Sequence, residues 1–191
     1  MMITQTSQGL AGKLLIAMPG VQDIAFRRSV VLVCAHSERG AMGLVINRPA
    51  PDMTFRRLMK ERGTPVGLLP MGFRIHAGGP VQVDRGFVLH DPAYDEGAET
   101  LKISDAFSMT SSRTILGDIA GGNGPEAPMV VMGYAGWGEG QLEDELGRNI
   151  WLSADASPSI VFGRHDDIKW ERALAASGIG AAHLSGLTGY A

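Results

Sequence analysis

A chain of 191 residues with 45% hydrophobic and 19% charged residues has the size and balance of one folded domain; at this length roughly 70% of the unfolded surface is buried without disulfide or metal support. These figures exclude a disordered chain, and no apolar run approaches the roughly 20 residues that span a bilayer, so no membrane partner is expected. The net charge of −3 disfavours nucleic acid, whose binders carry a basic footprint that displaces counterions.

The stretch MMITQTSQGLAGKLLIAMPG has its lysine inside the apolar run rather than ahead of it, so it reads as an unprocessed start and the chain as cytoplasmic. Lys13 to Met18 predicts a short strand closed by the turn pair Pro19-Gly20. Ser29 to His36, β-branched and continuous, predicts a strand buried on both faces. Met42 to Pro49 predicts its hairpin partner, stopped by a proline that cannot donate to a ladder. Thr54 then caps a helix with Phe55, Leu58 and Met59 on one side, ending at Gly63.

Phe73 to Pro92 reads as two strands around Gly78-Gly79-Pro80, and Glu99 to Ser104 as a weak strand. Thr110 to Ala120 predicts a helix closed by Gly121-Gly122. Pro128 to Tyr134 predicts a strand, linked by the glycine stretch GYAGWGEG (133–140) to an acidic helix in GQLEDELG. Asn149–Ser153 and Ser159–Phe162 read as late strands. Asp166 to Gly178 predicts a last helix with Ile168, Ala173 and Leu174 near one face, followed by a Gly/Ala-rich tail. Strands outnumber helices and no regular β-α-β alternation is present, so the fold class is α+β in a single domain, 1–191.

The glycine stretch has the strand, loop, helix order of a phosphate cradle, but neither the dinucleotide nor the P-loop spacing occurs in it. Glu139, Glu143, Asp144 and Glu145 at the helix start repel an anion, by about 1 kcal/mol per close pair. The glycines are therefore expected to serve backbone geometry, with Trp137 as either a wedge over core or a platform for a partner. Cys34 is expected to be a buried structural thiol, with His36 on the same strand face. The histidines at 36, 76, 90, 165 and 183 form no zinc spacing and read as strand-end or surface residues. Glu139 and Glu143, four apart, could hold a hard cation, although a solvated acidic face is the commoner use of such a pair. No hydrolase motif or cofactor motif is present, so no cofactor is expected.

The segments LLIAMPG, GAMGLVINRP, GGPV with RGFVLH, and GYAGWGEGQLEDEL followed by Trp151 resemble, in this order, the AlgH/YqgE family of small bacterial proteins, from about Gly12 to Ala191. The resemblance implies a bifurcated, mostly antiparallel sheet folded into a pseudo-barrel with helices packed outside. It supplies no catalytic residue, and its transcriptional-regulator label gains little support from an acidic chain. Matching motif residues include Asn47, Arg48, Gly79, Pro80, Trp137, Gln141 and Glu143; Glu139 stands where relatives often have proline. The leading expectation is a non-enzymatic binding or regulatory protein that recognises a partner or small ligand through these residues. The rivals are an enzyme using Glu139 and Glu143 with Arg48, and a DNA-binding regulator.

Overall fold

The computed structural model describes residues 9–69 and 73–178. The N-terminal stretch before Gly9, and the Gly/Ala-rich tail with His183, lie outside the described residues. The strands are β1 (Lys13–Ala17), β2 (Val30–Ser37), β3 (Gly40–Val45), β4 (Ile75–Ala77), β5 (Val81–His90), β6 (Thr100–Lys102), β7 (Ser108–Thr110), β8 (Met129–Trp137) and β9 (Trp151–Asp155). The helices are α1 (Phe55–Lys60), α2 (Thr114–Gly121), α3 (Gln141–Gly147), α4 (Pro158–Val161) and α5 (Lys169–Ala176). Among the described residues no helix is long and apolar enough to cross a membrane.

The sheet runs β6-β7-β5-β8-β3-β2-β1-β9, with β4 also beside β8. Every pairing is antiparallel except β4 with β8. The split lies along β8. Its C-terminal residues Ala135 to Trp137 pair with β3, while Val130 to Met132 pair with β4. The chain beyond β3 closes the wedge, since Ala77 N–H donates to the Arg48 carbonyl and Ala50 N–H to that of Ile75. Glycine makes the junction possible: Gly79 has φ +151°, and a Cβ there would overlap the Tyr134 carbonyl.

The curled sheet is thus an α+β pseudo-barrel. Its inner cluster joins Leu14, Leu32 and Leu44 of one half to Phe87, Leu89 and Val131 of the other, completed by Ile160, Val161, Trp170 and Leu174 from α4 and α5. Each such side chain contributes roughly 1.5–3 kcal/mol on burial. Outside, Leu142 of α3 packs with Val31, Val33, Trp137 and Trp151. α1 and α2 cover the other half through Phe55, Met59, Ile115 and Ile119.

The β2–β3 hairpin, the Thr54 cap and the two strands around Gly78-Gly79-Pro80 form as expected, except that β3 runs Gly40–Val45 rather than to Pro49, which instead bridges His76. Four local expectations are corrected. Ser159–Phe162 is not a strand: Ser157, extended at φ −126°, leads into α4 with Pro158 at the first helical position, where its missing N–H is harmless. The helix expected from Thr110 starts at Thr114, because Thr110 ends β7 and Ser112 Oγ accepts the Ile115 N–H (3.3 Å). The glycine stretch is mainly strand, since β8 continues through Trp137. At the last helix Ile168 is exposed and Lys169 buried, the reverse of their polarity.

A bulge at Cys34 alters the β2 reading as well. The register shifts between Val33 and Ala35, so alternation reverses there. Cys34 enters the inner cluster, while His36 pairs with Ala41 on the outer face. The two cannot form a dyad, and burial pushes the thiol up to about 12.

Candidate functional site

The residues singled out in the sequence fall in three places. Asn47 Oδ1 accepts the Val30 N–H (2.9 Å) and its Nδ2 donates to the Arg28 carbonyl (2.9 Å). Arg48 donates to the carbonyls of Ile24 (2.8 Å), Ala25 (2.6 Å) and Arg27 (3.2 Å). Both side chains therefore hold the β1–β2 connection in shape. Charged donors to backbone carbonyls are worth more than neutral ones, so Arg48→Ala should lower stability by about 1–2 kcal/mol. Amide exchange should accelerate over residues 23–29 and not in β8; unchanged exchange in that loop would contradict the assignment.

Gly79 and the exposed Pro80 sit at the β4–β5 turn against Tyr134. Trp137, Gln141 and Glu143 form the third group, around α3. Trp137 is 7% exposed and meets Trp151 edge-on, with ring centroids 5.9 Å apart. Both indole N–H groups donate to Glu145 Oε2 (2.8 Å each), and Gln141 Nε2 donates to Glu145 Oε1 (2.9 Å). Gln141 Oε1 in turn accepts the Gly138 N–H (3.0 Å). Of the two uses open to Trp137, the structure gives the wedge.

His36 Nδ1 accepts the Leu10 N–H (3.1 Å), so Nε2 carries the proton and donates to Glu143 Oε1 (2.7 Å). A hydrogen bond from its own backbone N–H, then that from His36, holds the Glu143 carboxyl below its ordinary range. Glu139 is exposed, and no three His, Cys, Asp or Glu among the described residues cluster as a metal site. His36 pairs with Ala41 near the start of β3, whereas Arg48 lies past its end at Val45 with its guanidinium committed to the β1–β2 connection. Glu139, Glu143 and Arg48 thus form no common site.

A different constellation stands at the N-terminal ends of β4 and β8. Phe73, Arg74 and His76, residues 126–129 at the entry to β8, and residues 162–164 with Asp166 after α4 line an open cleft of about 130 Å³. His76 and Asp166, each 6% exposed, form its buried wall, backed by Lys169 at 1%. His76 Nε2 lies 3.1 Å from both Asp166 oxygens, which fixes the tautomer: Nε2–H donates to the carboxylate. Nδ1 is buried and has no hydrogen-bond partner among the described residues.

Asp166 opens the 3₁₀ turn 166–168, and one helical turn later Lys169 falls on the same side. Lys169 Nζ donates to Asp166 Oδ1 (3.0 Å), the Ile46 carbonyl (2.8 Å) and the Val161 carbonyl (3.1 Å), one acceptor for each proton. Burial pushes the Asp166 carboxyl up, but the His76 hydrogen bond and the Lys169 charge outweigh it and hold it below its ordinary value. Burial lowers the Lys169 ammonium, and the attraction of Asp166 restores only part of that. Arg74 approaches Asp166 Oδ2 at 3.5 Å with its side chain 53% exposed. His76 is buried within β4 rather than at a strand end or the surface; His90 does end β5, but buried, bonding the Asp91 carbonyl (2.6 Å) and Thr110 Oγ1 (2.9 Å).

Comparison with known proteins agrees with this architecture. The AlgH-like family model matches residues 14–182. A UPF0301 protein of Ruegeria pomeroyi is 50% identical over 183 residues, covering 95% of this chain and 99% of that one. One from Paracoccus denitrificans is 46% identical over 189 residues, covering 97% of this chain and 98% of the relative. The solution structure of AlgH from Pseudomonas aeruginosa superposes with a TM-score of 0.75 at 39% identity, covering 100% of this chain and 98% of that one. A crystal structure of a Corynebacterium diphtheriae protein, at 22% identity and TM-score 0.70 over 87% and 86% of the two chains, shares the fold. On the family match and these relatives together, the chain belongs to the AlgH-like family.

Proposed function

We propose that this chain is a non-enzymatic binding protein of the cytoplasm whose small ligand occupies the cleft over His76, Asp166 and Arg74. One observation carries the reading: a carboxylate and an imidazole are buried together at the wall of an open cleft, with an ammonium buried behind them. Buried ion pairs are weak devices for stability, because desolvation offsets most of their attraction. Apolar residues of similar volume would serve the core as well. Desolvated titratable groups beside a concave, partly apolar surface are the common signature of a binding site.

The test is a heteronuclear NMR screen of the full chain against pools of small metabolites, repeated on Ala127→Trp. Ala127 is exposed on the cleft rim, so tryptophan there obstructs entry without touching the core. Pools should shift amides of residues 126–127 and 162–164 in the natural chain and not in the variant. Shifts confined to the Asn47, Arg48 and Gly79 edge would move the site to the surface expected from the sequence and overturn the cleft.

The geometry also favours a second reading, because a carboxylate that orients an imidazole is the arrangement of a general base. Turnover of a cleft-bound compound, lost in His76→Gln, would select it. Transcriptional regulation has no supporting contact: a net charge of −3 opposes binding to a phosphate backbone.

A further inference from the structure

We infer that the ligand is a small oxyanion, a carboxylate or phosphate group gripped by the guanidinium groups of Arg74 and Arg164. The inference rests on the cleft being the binding site. Asp166 already receives His76 Nε2 at 3.1 Å and Lys169 Nζ at 3.0 Å, so Arg74 at 3.5 Å is the most loosely held of its three partners. A guanidinium has five N–H donors in a planar fork matched to two oxygens. Most of those of Arg74 are uncommitted. Arg164 lines the same cleft, is exposed, and joins no ion pair or side-chain hydrogen bond among the described residues.

Charge supports the same class of ligand. Arg74 and Arg164 of the lining, with Lys169 buried behind it against Asp166, stand against Asp166 and Glu126, the two acidic residues of the lining. Phe73, Pro128, Met129 and Phe162 supply low-dielectric walls, which concentrate that positive field. His76 lines the cleft with a buried Nδ1 that has no partner among the described residues; with the proton on Nε2 this nitrogen is an acceptor, so it would take a hydroxyl of the ligand, such as that of a hydrogen phosphate, and not an anionic oxygen. Glu126 opposes the anion, so its removal should tighten binding.

The isotope-labelled full chain would be titrated at constant ionic strength with sodium acetate and sodium phosphate, and separately with methylammonium chloride and glycerol. Saturable shifts of the Ala127, Gly163 and Arg164 amides with acetate or phosphate are expected, the tighter of the two naming the group. Arg164→Gln should weaken that binding about tenfold, as expected for loss of a charge-assisted bidentate contact, with partial recovery in Arg164→Lys. Glu126→Gln should strengthen it about threefold. Saturation by methylammonium or glycerol but by neither anion would overturn the oxyanion class and leave the cleft standing. Anion binding indifferent to Arg164→Gln would overturn the grip. Silence of all four probes would overturn this inference, and only silence of the metabolite pools at the cleft would remove the reading beneath it.

Discussion

Asp166→Ala should lower the unfolding free energy by roughly 3–5 kcal/mol, the usual consequence of removing one partner from a buried ion pair. The size follows from what remains. Lys169, 1% exposed, would keep two neutral carbonyl acceptors and lose its counter-charge, while His76 Nε2–H would lose its acceptor. The double variant Asp166→Ala with Lys169→Met should recover much of the loss, because an apolar side chain in that position carries no uncompensated charge. Urea denaturation of the single and double variants measures both values; equal stabilities of the two would refute charge as the cause.

The same pair sets a pH signature. The folded state holds the Asp166 carboxyl below its ordinary 3.8, so its contribution is complete above that value and vanishes as pH falls through the depressed one. Lys169 gives a slope of the same sign at alkaline pH, where burial rather than attraction lowers its value. Its folded value lies below 10.5, so between that depressed value and 10.5 the unfolded chain binds more protons and stability from this group rises with pH. Asp166→Ala should flatten the acid limb and widen the alkaline window, because it removes the attraction that keeps Lys169 protonated.

Much of the architecture could be read from local pattern. The apolar runs of β1 and β2 and the Thr54 cap each act over a few residues, and each has a counterpart in the structure, whereas β3 stops at Val45, short of the expected Pro49. β7 escaped because it is only three residues long, its Thr110 also suits a helix start, and it is extended by pairing between β5 and β6. α4 escaped because the Ile160, Val161 and Phe162 run resembles a strand, and Pro158 outweighs it only by fitting a helix start. The cleft was harder still, since His76 and Asp166 lie 90 residues apart and no motif joins them. One local signal existed: Lys169 stands four residues before Ala173 and five before Leu174, which places a lysine on the buried face of α5. A lysine there requires a carboxylate partner, and Asp166 is one turn away.

Trp137→Ala should be the second large perturbation, costing roughly 3–5 kcal/mol as for other buried aromatic truncations. In a chain of this size that lowers the melting midpoint by about 10 °C. Glycines flank Trp137 in the sequence, a pattern compatible with display of the ring to a partner, yet β8 turns the indole inward against Trp151 and Leu142. Glu145 adds the polar half, accepting both indole N–H groups while Gln141 ties it to the turn that opens α3. Trp137→Phe keeps a six-membered ring but loses the pyrrole volume and the donor, so it should cost less than the alanine, about 1–3 kcal/mol. Both variants lose the donor, so the gap between them reports the packing of the remaining ring. An unchanged melting midpoint in Trp137→Ala together with lost ligand binding would return this residue to a recognition surface, whereas a lower midpoint with intact binding at the cleft would fix it as the wedge that seats α3.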